Sequence, residues 1–393
     1  MPGRCDMSAF DWNKVEASGL SDYGLFSGKI ADRLREVKDA SEAKEICPRV
    51  LCGLNNADRD HAYLDILKQD PAAVIDGILA CAEALGSKET ELYLPENETE
   101  LVESLKDSLE EKGIALKTGI IDVREHADDF IIHIAGAADL ASLLGGELPD
   151  GRFFKANGEI KRLDPSTPLK EVLDLSDAKA IWNGYTYLTL EEAEEVTVGD
   201  CPTGTALPVK KTQCIVEETK KALHEDRKIS CGKCVFCREG LIQLEYEQNE
   251  ITQGRGKTEF EDYAEEIGAA MHSQTLCSIG QKSGDAALSA FAKFSDEYDQ
   301  HIKKNNCPAG VCTAFSHIYI DPMTCTGCGA CLDVCPVDAI LGKPRYIHMI
   351  EDLDCTRCGK CLEVCEEDAI VRASGKLPKL PQRLVKVGKF KRH

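Results

Sequence analysis

No uninterrupted apolar run in the chain reaches the roughly 18 residues that a membrane-crossing helix needs. The best stretch, Phe130 to Leu148, is broken by His133, Asp139 and Glu147, so no membrane insertion is expected. A secretory leader is missing as well: the start, Met1-Pro2-Gly3-Arg4-Cys5-Asp6, has no apolar core, which predicts a cytoplasmic location. Positive charge is scarce. Forty-seven Lys and Arg face 68 Asp and Glu, a net charge of -21, and this argues against nucleic acid as a partner, because phosphate contacts need a basic surface. The extremes of disordered or collagen-like composition are absent too: 43% of residues are hydrophobic and 29% charged, as in ordinary globular domains. A chain of 393 residues has material for about two or three buried cores.

Cysteine, by contrast, is abundant. Twenty occur, sixteen of them after residue 200, and a reducing compartment makes metal or redox chemistry the better explanation than disulfides. Before residue 150 the pattern alternates strand and helix. Arg49 to Leu54 is a short apolar run, and Asp70 caps a helix that starts at Pro71, carries Val74, Ile75, Ile78, Leu79, Ala82 and Leu85, and stops at Gly86. Glu91 to Leu94 reads as a strand, about Glu98 to Lys112 as a helix, and Ile114 to Lys117 as the next strand, which implies parallel pairing. The predicted organisation is multidomain α/β plus α: a Rossmann-like α/β domain over 1–150, a small β-grasp-like α+β insert over 151–200, and a helical bundle over 201–306. A bacterial ferredoxin-like domain over 307–371 and a basic extended tail over 372–393 follow.

The ferredoxin reading rests on an internal repeat. Cys325 to Ile340 recurs as Cys355 to Ile370 with 11 of 16 positions identical, each copy spaced C-x2-C-x2-C-x3-C. In this spacing three thiolates hold one [4Fe-4S] cluster and the fourth crosses to the other. Cys325, Cys328, Cys331 and Cys365 therefore form one predicted set, and Cys355, Cys358, Cys361 and Cys335 the other. Zinc ligands come instead as separated pairs. Glu366 replaces the proline that follows the fourth cysteine in the first copy, which affects a turn and no ligand.

A third constellation, Cys231, Cys234 and Cys237 ahead of a helix, has Cys277 forty residues further on. Four thiolates beside a helix N-terminus suit an anionic cluster, with structural zinc as the alternative. The strings SCGKCVFCREG, TLCSIG and CPAGVC, followed by the two-cluster repeat, resemble the NADH-binding flavoprotein subunit of respiratory complex I. The nearest likeness is to the beta subunit of trimeric electron-bifurcating [FeFe] hydrogenases. The resemblance spans residues 20–371 in architecture and is specific from about residue 200. It implies that Cys231, Cys234, Cys237 and Cys277 hold a [4Fe-4S] cluster. It also implies a thioredoxin-like [2Fe-2S] subunit and a larger catalytic subunit as partners, with soluble ferredoxin a further one, in an anaerobic type of metabolism.

The resemblance also implies FMN and NADH on the α/β domain, and here the sequence departs from it. The family's long glycine-rich loop corresponds to Tyr23 to Ile30, with two glycines; its Asn-Ala-Asp-Glu motif corresponds to Asn55-Asn56-Ala57-Asp58-Arg59; its Cys-Gly-Glu-Glu-Thr signature corresponds to Ala135 to Leu140. A retained fold without flavin or NAD(P)H is the expectation. An FMN-containing NAD(P)H dehydrogenase with a diverged site is the alternative, with Gly28, Lys29, Asn55, Asn56 and Asp58 as its candidate residues. The expected function is an iron-sulfur relay that catalyses little alone, with no catalytic residue of its own.

Cys307 and Cys312, with two of His301, His317 and His348, offer a possible zinc site, and His317 and His348 are the histidines favoured. Cys5, Cys47, Cys52, Cys81, Cys201 and Cys214 have no metal spacing and are expected to be small buried hydrophobes. The tail from Arg372 holds eight cations and no acid, which leaves -29 on the rest, and it is expected to lie across a partner subunit.

Overall fold

A computed structural model describes residues 10–24, 28–56, 58–374 and 377–391. Contacts divide the chain into two compact units. One comprises the chain up to residue 210 with 222–244 and 263–289; the other comprises 211–221, 245–262 and 290 onward.

In the first unit, strands β1 (Val50–Gly53), β2 (Thr90–Leu94), β3 (Ile114–Thr118) and β4 (Phe130–His133) form one parallel sheet in the order β3-β2-β1-β4. All four β1 residues are buried, as a central strand covered on both faces requires. The helix Pro71–Leu85 starts where its signals predict: the Asp70 carboxylate accepts from the Ala73 N–H at 3.0 Å, and Gly86 closes the helix in a left-handed conformation. Its face of Val74, Ile75 and Ile78 is buried. The helix Ile134–Leu144 lies so close that a Cβ on Gly77 would sit 2.0 Å from the Ala137 carbonyl oxygen. Strand β4 escapes the sequence reading because Phe130–His133 passes directly into that helix with no glycine or proline at the junction.

Residues 152–210 add two small antiparallel sheets, Arg152–Ala156 with Glu159–Leu163, and Tyr187–Leu188, Ala178–Trp182 and Leu207–Lys210 in that order. From 215 to 304 the chain is helical, in segments Ile215–Ile229, Val235–Thr252, Phe260–Gln274, Ser278–Lys282, Asp285–Lys293 and Ser295–Lys304. The last two of these are separated at Phe294, whose φ of -125° leaves the helical region.

In the second unit, Ser316–Ile320 pairs antiparallel with Ile370–Ser374, and Ile340–Leu341 with Met349–Ile350. Ile318, Ile320, Ile340, Ile347 and Ile370 form its core together with the cysteines. The basic tail thus begins as strand rather than as an extended arm. Further on, Val385 and Phe390 pack against the same core, so this part of the tail lies on its own unit. Lys376 and Arg392, two of the tail's cations, and Cys5 lie outside the described residues. Among the described residues no helix is long and apolar enough to cross a membrane.

Candidate metal centres

Each repeat motif loops from its first two cysteines into a short helix, Ala330–Asp333 or Lys360–Glu363, that starts after a left-handed glycine, Gly329 or Gly359. The loops return the thiols to two small apolar cavities. One is lined by Cys325, Cys328, Cys331 and Cys365. The other is lined by Cys355, Cys358, Cys361 and Cys335. Each cavity collects three cysteines of one motif and the fourth of the other, the crossed grouping that the spacing predicts. Apolar walls from Ile320 and Ile370 on one side, and Ile318, Ile340 and Ile350 on the other, limit solvent access to these groups.

In the first unit, Cys231, Cys234 and Cys237 precede or begin the helix Val235–Thr252, and Cys277 is the N-cap of Ser278–Lys282. Cys231, Cys234 and Cys277 line one cavity with Ile121, Arg124 and Leu276. The surroundings are rich in donors. Arg124 Nη2 lies 3.1 Å from Cys234 Sγ, and Ser230 Oγ lies 3.4 Å from Cys237 Sγ. The backbone N–H groups of Ile279 and Gly280 and the Asn56 side chain donate to Cys277. Lys233 is held by Asp122 and by Glu125, the latter at 2.9 Å. Burial pushes the Cys237 thiol up to about 11, and the hydrogen bond with Ser230 works against that rise. Arg124 carries no sequence signal, since it meets Cys234 across 110 positions.

A fourth group is tighter. Cys214, His301, Cys307 and Cys312 are all buried, with ligand atoms within 4.8 Å of one another, the one such group of three or more His, Cys or acidic residues among the described residues. His301 Nε2 is 3.3 Å from Cys214 Sγ and 3.5 Å from Cys312 Sγ, while Cys312 and Cys214 sulfurs are 3.6 Å apart. His301 Nδ1 lies 2.8 Å from the Glu297 carbonyl, which orients Nε2 toward the sulfurs. Hydrogen bonds from Cys214 and Cys312 pull the Cys307 thiol well down, and the same contact pushes Cys214 up. Two sequence-favoured histidines are not here: His317 Nδ1 sits 3.2 Å from Asp352, and His348 Nδ1 sits 3.8 Å from Cys325. His317 is drawn away because it lies on a strand, and His348 because it is buried beside the first ferredoxin cavity. Cys214 is missed by sequence because nothing near it has ligand spacing. Of the remaining thiols, Cys52, Cys81 and Cys201 are buried as expected, whereas Cys47 is exposed.

A cavity of about 350 Å³ opens at the ends of β1 and β4, bounded by Asn55, Asn56, Asp22, Arg33, His133 and Leu276 among others. Of the candidate flavin residues, Asn55 and Asn56 line it; Gly28, Lys29 and Asp58 do not. Asp22 is buried, pairs with Arg33 at 2.6 Å, and accepts from the N–H groups of Tyr23 and His133. His133 Nδ1 in turn accepts from the Ala135 N–H and caps the next helix. Burial holds the His133 imidazole down near 3, hence neutral.

The thiol sets have the spacing and grouping of iron-sulfur sites, and parts of the chain are similar to iron-sulfur regions of known oxidoreductases. Residues 218–301 match the NADH-ubiquinone oxidoreductase-F iron-sulfur binding region, and 317–366 match a 4Fe-4S dicluster domain. The NADP-reducing hydrogenase subunit HndC of Solidesulfovibrio fructosivorans is 32% identical over 205 residues, 52% of this chain and 39% of that one. The F component of the NADH-quinone oxidoreductase of Mycobacterium tuberculosis is 30% identical over 98 residues, 25% of this chain and 22% of that one. The matches therefore span well under half of either relative. A crystal structure of an NAD+-reducing [NiFe]-hydrogenase shares the fold, with a TM-score of 0.61 and 14% identity over 74% of this chain and 62% of that one.

Proposed function

We propose that the chain is a relay subunit carrying three [4Fe-4S] clusters, on Cys231/Cys234/Cys237/Cys277, Cys325/Cys328/Cys331/Cys365 and Cys355/Cys358/Cys361/Cys335. It passes single electrons between partner subunits of a cytoplasmic oxidoreductase and catalyses little alone. The partners under this reading are a thioredoxin-like [2Fe-2S] subunit, a larger catalytic subunit and soluble ferredoxin. A zinc ion on Cys214, His301, Cys307 and Cys312 braces the second unit; the Cys3His donor set and its outer carbonyl suit a closed tetrahedral site. The observation that carries the relay is the sorting of the eight repeat cysteines into two cavities of four.

The same reading gives the chain no flavin. A phosphate-bearing cofactor needs free N–H groups or cations at the strand ends. Here Asp22 already takes the Tyr23 and His133 amides and the Arg33 guanidinium, and placing a phosphate beside its carboxylate sets like charges together. The second reading, an FMN-containing NAD(P)H dehydrogenase or electron-bifurcating subunit, is favoured by one feature, the cavity bounded by Asn55, Asn56 and Leu276 beside Cys277. Metal and flavin analysis of anaerobically purified protein separates them: about twelve irons, about one zinc and no flavin support the relay, whereas stoichiometric FMN supports the second reading.

A further inference from the structure

The two ferredoxin motifs are near copies, yet their first loops differ. In the second, Arg357 stands between Cys355 and Cys358 and reaches Asp352 at 3.4 Å. In the first, that place is Gly327, with φ +74°, and a Cβ on it would meet the Tyr346 carbonyl oxygen at 2.6 Å. Glycine is required because another segment lies on the loop: the Arg345 N–H donates to the Gly327 carbonyl at 3.2 Å. That segment is itself held by the tail. Val387 N–H donates to the Arg345 carbonyl at 3.2 Å, Ile347 N–H to the Val385 carbonyl at 2.9 Å, and Tyr346 and Lys386 form an antiparallel bridge.

This pairing gathers cations beside one cluster site. Lys343, with its ammonium 4.2 Å from the Tyr346 ring, joins Arg345, Lys386 and Lys389, and all four are exposed. No acidic partner accompanies them among the described residues. Cys328, one position beyond Gly327, is exposed as well. The chain ahead of the tail carries 39 cations against 68 acids, so this is a local reversal of sign.

We propose that this tail-built basic patch is the docking surface for a small acidic iron-sulfur electron-carrier protein, which exchanges one electron with the cluster on Cys325, Cys328, Cys331 and Cys365. The inference rests on the relay reading. One electron leaves the reduced carrier and reduces the cluster by one unit, or the reverse; no bond or proton moves. Cations around the loop steer an anionic carrier to Cys328, the exposed member of this ligand set. An acidic protein fits better than a polyanion such as DNA, because a long phosphate chain would extend from the patch onto a strongly negative surface.

The test uses the full chain with its clusters and follows their bleaching after mixing with reduced acidic ferredoxin or, separately, with photoreduced deazaflavin, which needs no docking. The expected result is a ferredoxin rate that falls steeply with salt and drops about ten-fold or more at low salt in the variant K343E/R345E/K386E/K389E. The deazaflavin rate and the cluster spectra should stay as in the wild type, as should the ferredoxin rate of a charge-matched control, K170E/K221E/K228E/K303E. An unchanged ferredoxin rate and salt slope in the patch variant overturns the docking site. A changed oligomeric state with an unchanged rate overturns it in favour of a second copy of the chain. Clusters that deazaflavin cannot reduce in the wild type overturn the relay reading itself, and this inference with it.

Discussion

Arg124 shows how much of the chemistry rests on single side chains that no motif contains. Its guanidinium, 3.1 Å from Cys234 Sγ, favours added negative charge on a cluster there. Arg124→Ala should therefore lower the midpoint potential of the cluster proposed on Cys231, Cys234, Cys237 and Cys277 at unchanged iron content, as read by an EPR-monitored redox titration. Asp226 gives a second test at this scale. It pairs with Arg59 at 3.2 Å, yet burial lifts its carboxyl to about 6. The folded chain then keeps a proton that the unfolded chain releases near 3.8. Stability should fall as pH rises from about 4 to about 6, by up to roughly 3 kcal/mol, and stay level above. Urea melts of Asp226→Asn should lack that slope. The eight repeat cysteines that line the two small cavities were legible because ligands in one loop have fixed spacing. Cys214 was not, because its partners His301, Cys307 and Cys312 come to it only through the fold.

At the scale of elements, the helix Pro71–Leu85 was readable from its cap, its proline and its closing glycine, all local signals. Its partner was not. Gly77 reads as a weak point in a helix until its distance to the Ala137 carbonyl is known. Gly77→Ala should force the two helices apart and cost about 2–3 kcal/mol, detectable as a lowered urea midpoint with little change in slope. Phe294, which ends one helix and precedes the next, likewise gives no glycine or proline signal; the break lies in backbone angles set by packing.

For the whole molecule, the sequence order gives little hint that segments 211–221 and 245–262 join the chain from 290 onward in one unit. Cys214 is carried there by the first of these segments, and its sulfur meets Cys312 at 3.6 Å and the His301 ring at 3.3 Å. Under the zinc proposal, Cys214→Ser should abolish zinc binding, leave the iron content unchanged, and lower the melting temperature of the holoprotein, measured by metal analysis and calorimetry. An equal melting temperature would mean that packing alone holds this group together.

The crossed cavities have a consequence for descent. The two motifs share 11 of 16 residues, as a duplication leaves them, but Cys335 faces the cavity of the second copy and Cys365 that of the first. Deleting either copy strips three ligands from one site and one from the other. Losing one repeat therefore leaves the other copy's site with three of its four cysteines, so neither four-cysteine site is complete within a single motif.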